Sequence, residues 1–194
     1  LIASIGEWVL QSACAQVKAW QDLGYAVPRL SINLSAKQFR QKTLAQSIAR
    51  ILQETGVAVG AIELEMTESL LMENSDEVAE NLRQLGELGL GIAIDDFGTG
   101  YSSLSYLKRF TISTLKIDRS FVMDIANDPD DAAIVMAIIA LAHSLQMKVI
   151  AEGVELATQL EFLKQNNCDL YQGKHFSQAL PAAEMVALLP QRQA

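Results

Sequence analysis

The chain contains the sequence Ile92-Ala-Ile-Asp95-Asp96-Phe-Gly-Thr-Gly-Tyr-Ser-Ser-Leu104 near its middle, and this segment decides the fold. The apolar run at residues 90–94 predicts a buried strand. This strand ends on two adjacent carboxylates, Asp95 and Asp96, which repel each other unless a positive charge lies beside them. A divalent metal ion would supply that charge, because hard cations bind carboxylate oxygens. The alternative is a solvated turn in which the two aspartates act as caps.

Short apolar strands alternate with helical patterns along the rest of the chain. The predicted strands are residues 30–34, 61–66, 90–94, 113–117, 148–151 and 169–171. The predicted helices are residues 1–23, 36–55, 76–88, 103–110, 130–145 and 157–165, followed by a last helix from Pro181. One helix followed by six strand–helix units indicates an α/β fold with a parallel sheet. The pattern alone leaves Rossmann-like and barrel topologies open.

Composition limits the class of protein. With 194 residues, of which 50% are hydrophobic and 20% charged, the chain suits one globular domain. The net charge of −8 argues against duplex nucleic acid as a partner. The two cysteines, Cys14 and Cys168, lack metal-ligand spacing and predict free thiols. We find no signal peptide, and the longest apolar run, residues 132–142, is too short to span a bilayer.

Every predicted strand ends in a polar side chain, and ligands bind at the carboxyl ends of strands in parallel α/β folds. These residues are Asn33, Glu65, Asp95 with Asp96, Lys116, Glu152 and Gln172. Carboxylates with an asparagine oxygen form a ligand set suited to Mg²⁺ or Mn²⁺. Placed around a barrel mouth, they could hold two ions, an arrangement that suits in-line displacement at phosphorus.

Three of these residues also have a structural explanation when taken singly. Asn33 could satisfy a turn, Glu65 could pair with Lys116, and Gln172 could bond only to the backbone. Six polar strand ends in one chain nevertheless favour a site.

Other sequence patterns do not support other functions. Residues 98–103 resemble half of a dinucleotide-binding loop but lack its third glycine. Asp96-Phe97-Gly98 matches a kinase metal motif, but the other kinase motifs are absent from the sequence. His143 and His175 have no partner at ligand spacing, so the sequence favours surface or core roles for them.

Six motifs occur in the order that is typical of EAL domains, which are bacterial phosphodiesterases specific for cyclic di-GMP. They are Asn33-Leu-Ser35, Glu65-Met-Thr-Glu68-Ser69, Asp95-Asp96-Phe-Gly-Thr-Gly-Tyr-Ser-Ser-Leu104, Leu115-Lys116-Ile-Asp118, Ala151-Glu152-Gly-Val-Glu155 and Gln172-Gly173. The chain resembles this family over essentially its whole length.

The resemblance implies a modified (β/α)₈ barrel, similar to a TIM barrel, and hydrolysis of cyclic di-GMP to linear pGpG in bacterial second-messenger signalling. It implies two ions, Mg²⁺ or Mn²⁺. The first would be bound by Asn33, Glu65 and Asp95, and the second by Asp95, Asp96 and Glu152. Lys116 would contact and help to activate the water between the ions, so Lys116 and Glu152 are the implied catalytic residues.

The resemblance also assigns residues around the metal site. Glu68 would anchor the loop at residues 97–104, which in the family couples dimerisation to activity and so implies a homodimer. Asp118, Glu155 and Gln172 would line the substrate or support the groups that bind it. The implied location is the cytoplasm, with the chain acting alone or as the cytoplasmic part of a larger, membrane-anchored protein.

The chain departs from the family pattern in two places. The Glu-Ala-Leu tripeptide that names the family, with its metal-binding glutamate, does not occur. Since a typical barrel needs about 250 residues, we expect residues 1–194 to be one EAL-type domain lacking its first strands, with six of eight strands in the sequence. The second departure is Lys174 and Ala179, where the family usually has an aromatic residue and a proline.

Two other functions remain open from the sequence. The chain could act as a structural partner domain through the loop at residues 99–104, or it could be an EAL-type receptor or regulatory module that binds cyclic di-GMP with weakened or no hydrolysis. Such receptors usually lack metal ligands, whereas the ligand positions within this sequence are filled. The absent Glu-Ala-Leu glutamate supports the receptor alternative.

We predict that this chain hydrolyses cyclic di-GMP far more slowly than a version that carries the Glu-Ala-Leu strand. Without that glutamate the first ion has fewer charged ligands, and at least one of Asp95 and Asp96 should have a raised pKa. Release of pGpG at saturating Mn²⁺, measured side by side, checks this prediction. Equal rates would show that the glutamate is not needed.

Overall fold

The computed structural model describes residues 2–72, 75–100, 107–108 and 110–191. They fall into two compact units. The first unit comprises Leu1–Met66, Glu73–Ile92 and Leu180–Ala194, and the second comprises Thr67–Met72 and Ala93–Ala179. Strands alternate with helices in both, as the sequence predicts, so the α/β fold class is confirmed.

Each of the six predicted strands is present. They are β1 Leu30–Asn33, β2 Ile62–Thr67, β3 Gly91–Phe97, β4 Thr114–Ile117, β5 Lys148–Ala151 and β6 Leu170–Tyr171. The helices are α1 Ile2–Asp22, α2 Ala36–Phe39, α3 Leu44–Thr55, α4 Glu68–Met72, α5 Asp76–Glu87, α6 Arg119–Met123, α7 Pro129–Ser144, α8 Ala157–Gln165 and α9 Ala182–Met185, with 3₁₀ turns at Val59–Ala61 and Val186–Leu188. Leu107 and Lys108 of the helix predicted over residues 103–110 are helical, while residues 101–106 and 109 lie outside the described residues.

The first unit is built around α1. Leu10, Cys14 and Val17 lie on one face of this helix at spacings of four and three residues, and all three are buried. This face packs against α3 and β1. Burial of a side chain the size of leucine or valine contributes roughly 2 kcal/mol, so the amphipathic pattern is sufficient to fix α1 on its neighbours.

The helix predicted over residues 36–55 is wrong in one respect, because the chain forms two helices there. α2 ends at Phe39 and α3 begins at Leu44. The buried Asn81 of α5 donates its Nδ2 to the carbonyl oxygens of Phe39 at 2.6 Å and Gln41 at 2.9 Å. Residues 40–43 contain no glycine or proline. A contact that is distant in sequence therefore satisfies the backbone groups left open by the break.

The second unit contains a parallel sheet, and the helix α7 packs on it. β3 pairs with β4, β4 with β5, and β5 with β6, all in parallel. α7 packs against β4 and β5 through its buried residues Val135, Ile138, Ile139 and Ala142. Because these four strands run in the same direction, their carboxyl ends meet at one edge of the sheet. That edge is where the polar strand ends of this unit lie.

Two helices of the second unit, α4 and α6, were not predicted from the sequence. α6 follows β4 directly, and Asp118 is its N-cap, with Oδ1 accepting the Ser120 N–H at 2.8 Å. A capping aspartate before a short helix is a local signal for that helix. From the sequence, Asp118 had only the role near the substrate that the family resemblance implies.

Two expectations from composition concern membranes and cysteines. Among the described residues, no helix combines the length and apolar composition needed to cross a bilayer. Both cysteines are free, as predicted, with Cys14 buried and Cys168 half-buried.

We predict that Asn81→Leu lowers the free energy of unfolding by about 2 kcal/mol, because the buried carbonyl oxygen of Phe39 and the partly buried one of Gln41 lose their donor. Urea unfolding followed by circular dichroism measures this change. Gln84→Ala on the same helix is the matched control, and it should change stability by less than about 0.5 kcal/mol. Equal effects of the two variants would contradict the role given to Asn81.

Candidate metal centre

The two adjacent aspartates lie inside β3 and not after it, because the strand continues to Phe97. Ile94 pairs with Leu115 and Phe97 pairs with Ile117, so Asp95 and Asp96 together face the single residue Lys116. This two-against-one pairing is a β-bulge. Asp96 adopts a φ of 56°, in the left-handed region that aspartate tolerates better than most residues.

The bulge determines where the aspartates point. In a regular strand, adjacent side chains project from opposite faces of the sheet. Here one oxygen each of Asp95, Asp96 and Glu152 lies within 4.8 Å of the others. The bulge therefore brings both aspartates into one cluster with a carboxylate from the next strand but one.

Glu152 is positioned by the hydrogen bonds that continue the sheet. It follows β5 directly, and its backbone N–H donates to the carbonyl oxygen of Ile117 at 3.1 Å. The residue is thereby held beside the end of β4. Gln172 extends the next pair of strands in the same way, because its N–H donates to Ala151 at 2.8 Å.

Lys116 joins two of the three carboxylates. Its Nζ lies 2.9 Å from Asp95 Oδ1 and 2.7 Å from Glu152 Oε1. The lysine side chain is only 4% exposed, while Asp95 and Glu152 are 15% and 17% exposed. A buried ammonium requires such partners, since an unpaired charge away from water is costly.

Asp95 Oδ1 has unused capacity to accept a ligand. It is buried, and no described residue donates a hydrogen bond to it in acceptable geometry, although Lys116 lies within ion-pair distance. The contact with Lys116 is an ion pair, which depends on distance, and not an aligned hydrogen bond. A buried acceptor of this kind beside two more carboxylates matches the donor set of a hard divalent cation. The residues present therefore fit a metal ion.

The crowding of acids is visible in the pKa of Asp96. Burial raises this pKa most, and the negative charges of Asp95 and Asp118 raise it further. The direction agrees with the expectation that one of the paired aspartates has a raised pKa. Asp118 behaves differently, because burial raises its pKa but hydrogen bonds from Ser120 and Asp96 outweigh that effect and lower it.

Glu68 holds the first part of the glycine-containing loop. This buried residue begins α4, and its Oε2 accepts the N–H of Gly98 at 3.1 Å. Gly100 packs so closely that a Cβ there would lie 3.3 Å from the Glu68 carboxylate. Thr99 Oγ1 also donates to the carbonyl oxygen of Asp96 at 2.9 Å. The rest of the predicted loop, residues 101–104, lies outside the described residues.

Glu155 and Gln172, two of the residues expected near the substrate, lie close to each other on the loops after β5 and β6. Glu155 Oε1 lies 3.1 Å from Arg119 Nη2 and 3.0 Å from Lys174 Nζ. A hydrogen bond from Lys174 lowers the pKa of Glu155 most. The exposed Gln172 accepts the Val154 N–H at its carbonyl oxygen, at 3.0 Å.

The two remaining candidate ligands lie in the first unit. Asn33 and Glu65 are opposite each other in the register of β1 and β2. Asn33 is exposed and Glu65 is buried. The structure thus brings Asn33 beside Glu65 in one unit and gathers Asp95, Asp96, Lys116 and Glu152 in the other.

Sequence reasoning missed three residues near the site. Arg119 and Lys174 pair with Glu155, and Gln159 bonds to the backbone of the same loop. The position of Arg119 directly after Asp118 was a usable signal, and Lys174 stood out only as a departure from the family. Nothing local distinguishes Gln159 from any other glutamine on a helix.

The family model described as the EAL domain matches residues 1–179. The chain belongs to the EAL domain family. The resemblance drawn from the six motifs is confirmed.

Curated relatives carry the same domain in longer proteins. The bifunctional diguanylate cyclase/cyclic di-GMP phosphodiesterase MucR of Pseudomonas aeruginosa is 47% identical over 187 residues, which are 96% of this chain and 27% of that protein. The cyclic di-GMP phosphodiesterase NbdA of the same organism is 43% identical over 189 residues, 97% of this chain and 24% of the relative. This EAL chain thus spans about a quarter of the length of either relative.

Solved structures agree with the EAL fold. The phosphodiesterase of P. aeruginosa MucR in complex with c-di-GMP gives a TM-score of 0.91 at 47% identity, covering 95% of this chain and 75% of that one. The EAL domain of Mycobacterium smegmatis DcpA gives 0.92 at 39% identity, covering 97% and 85%. The expected architecture, the TIM-like barrel fold of EAL domains, is supported by this likeness.

We predict that Lys116→Met is about 3–5 kcal/mol less stable than the wild type in EDTA, because two carboxylates lose their buried cation partner. Mn²⁺ should then raise the melting temperature more in this variant than in the wild type, since a bound cation replaces the missing charge. Thermal unfolding with EDTA and with Mn²⁺ measures both effects. Lys164→Met, at an exposed position of α8, is the control, and a Mn²⁺ response no greater than that of the wild type would contradict the prediction.

Proposed function

We propose that this chain is a metal-dependent phosphodiesterase that hydrolyses cyclic di-GMP to linear pGpG. The observation that supports this most is the cluster of Asp95, Asp96 and Glu152 around the buried Lys116, in an EAL domain. A relative solved in complex with c-di-GMP is 47% identical to this chain over the aligned residues. A phosphodiester is also the substrate class to which clustered carboxylates that bind metals are suited.

The proposed ligand sets follow the family motifs. Asp95, Asp96 and Glu152 would hold one ion, and Asn33, Glu65 and Asp95 would hold the other, with Asp95 shared. Mg²⁺ and Mn²⁺ both suit this set of oxygen ligands. Bound ions would polarise the phosphoryl oxygens and lower the pKa of an attacking water.

The side chains of the cluster would then act on the water and on the phosphate. Lys116 Nζ lies between Asp95 and Glu152, and its positive charge would orient a water molecule and stabilise the negative charge that develops during attack. The carboxylates, with Glu152 nearest to the lysine, supply acceptors for the proton of that water. The water oxygen attacks phosphorus, the bond from phosphorus to the 3′ oxygen breaks, and that oxygen takes a proton. The product is a linear dinucleotide with a 5′-phosphate.

Residues around the cluster would shape the substrate site. We assign Asp118, Glu155 and Gln172 to contacts with the substrate or with groups that bind it. Glu68, through its bond to the Gly98 N–H, would set the loop at residues 97–104. By the same resemblance, the chain would form a homodimer through that loop and would act in the cytoplasm.

We predict that Asp95→Asn lowers Mn²⁺-dependent release of pGpG by about a hundredfold or more, in a version carrying the Glu-Ala-Leu strand. Even residues that only support a metal ligand contribute 10–100-fold, and Asp95 would contact both ions. Anion-exchange chromatography of the products measures the rate. Asp130→Asn, an exposed carboxylate at the start of α7, is the control.

Binding measurements distinguish an enzyme that hydrolyses cyclic di-GMP from a receptor that only binds it. Isothermal titration with cyclic di-GMP, with and without Mg²⁺, should show metal-dependent binding together with turnover. Tight binding without turnover in the wild type would identify a receptor, and unchanged turnover in Asp95→Asn would exclude the metal assignment.

A further inference from the structure

The loop that begins with Glu152 is fixed on the side of β6 by the backbone. The loop consists of residues 152–156 and connects β5 to α8. The Val154 N–H donates to Gln172, and the Val154 carbonyl oxygen accepts the His175 N–H, both at 3.0 Å. Gly173 packs so tightly here that a Cβ would lie 2.1 Å from the Val154 oxygen.

The far end of the loop is fixed by a buried carboxamide. Gln159 Oε1 accepts the N–H groups of Glu155 at 2.8 Å and Leu156 at 2.9 Å. Its Nε2 donates to the Met123 carbonyl oxygen at 3.0 Å, which ties the loop to the end of α6. These contacts hold residues 154–156 but do not include Gly153, the residue next to Glu152.

Gly153 is covered by the side chain of Arg119. A Cβ on Gly153 would lie 2.3 Å from Arg119 Cγ and 2.8 Å from Cδ, so the aliphatic stem of the arginine lies directly on the glycine. Gly153 also has a φ of 70°, which favours glycine. The stem thus occupies the space that a side chain at position 153 would fill. Gly153 is also the glycine of this loop, so its backbone can adopt more conformations than that of its neighbours.

The charge of Arg119 contributes less than its aliphatic stem to holding the loop after β5. Its ion pair with Glu155 joins side chains that are 52% and 36% exposed, and such pairs contribute little. Lys174 lies 3.0 Å from the same Glu155 oxygen and would keep that carboxylate paired if the guanidinium were removed. The three atoms nearest to a Cβ at Gly153 all belong to the stem of Arg119.

We propose that Arg119 is a positioning residue for Glu152, acting through the packing of its aliphatic stem on Gly153 and not through its charge. This inference rests on the proposed function, because it assumes that the position of Glu152 matters for metal binding. Glu152 is held at its backbone N–H by Ile117 and at its carboxylate by Lys116. Without the stem, the peptide group between Glu152 and Gly153 gains freedom, which loosens Glu152 on the side that these two contacts do not hold. Displacements of about 1 Å can reduce activity about a hundredfold.

Three variants separate the stem from the charge. Arg119→Ala removes both, Arg119→Met keeps most of the stem without the charge, and Lys174→Met removes the other cation at Glu155 while leaving Gly153 covered. Isothermal titration with Mn²⁺ gives the metal affinity of each variant, and steady-state kinetics with cyclic di-GMP give kcat and KM.

We expect Arg119→Ala to weaken Mn²⁺ binding about tenfold and to lower kcat more than it raises KM. Arg119→Met and Lys174→Met should both stay within about twofold of the wild type. An Arg119→Met variant as impaired as Arg119→Ala would show that the charge matters, and an unimpaired Arg119→Ala variant would overturn the proposal.

Gly153→Ala tests the same contact from the opposite side and serves if Arg119→Ala does not fold. The Cβ of the new alanine would push the Arg119 stem away, so Gly153→Ala alone should weaken Mn²⁺ binding. In an Arg119→Met background the same change should weaken Mn²⁺ binding by less, because the flexible thioether side chain of methionine can move aside. Full additivity of the two changes would contradict a direct contact.

The outcomes distinguish this inference from the proposed function. A wild type that binds Mn²⁺ without hydrolysing cyclic di-GMP would remove the proposed function but leave the Arg119 comparison valid through Mn²⁺ affinity. A wild type that binds no Mn²⁺ would overturn both.

Discussion

Repulsion among closely placed carboxylates is the constraint on which the candidate site depends. Asp95, Asp96 and Glu152 present oxygens within 4.8 Å of one another, and Lys116 supplies one positive charge between two of them. Three carboxylates and one ammonium leave a negative excess. Burial raises the pKa of Asp96 most, and the negative charges of Asp95 and Asp118 raise it further. A divalent cation offsets the same excess, so the arrangement that is costly for the fold is favourable for binding metal.

The β-bulge in β3 turns this constraint into a defined geometry. Both aspartates could be singled out from the sequence, because polar residues after apolar runs mark the ends of parallel strands. It placed the end of the strand too early and gave no sign of the bulge. A bulge is a property of two paired strands, because it arises where Asp95 and Asp96 of β3 lie opposite the single residue Lys116 of β4. Hydrophobic patterning within one segment does not contain that information.

The other differences between prediction and structure have the same origin. The strands and long helices follow from local periodicity and were predicted within a few residues. The break between α2 and α3 depends on Asn81, some forty positions away, and the loop after β5 depends on Arg119 and Gln159. The assignment of Asn33 and Glu65 came from motif resemblance, because a strand end alone did not separate a ligand from a turn residue.

Counting bound Mn²⁺ tests directly whether the cluster of Asp95, Asp96 and Glu152 binds a divalent cation. Electron paramagnetic resonance measures the free ion during titration of the chain, so the difference gives the amount bound. We expect saturable Mn²⁺ binding in the wild type, and we expect it to be lost when Asp96 is replaced by asparagine and Glu152 by glutamine in the same chain. A signal that stays equal to that of the free ion throughout the wild-type titration would contradict it.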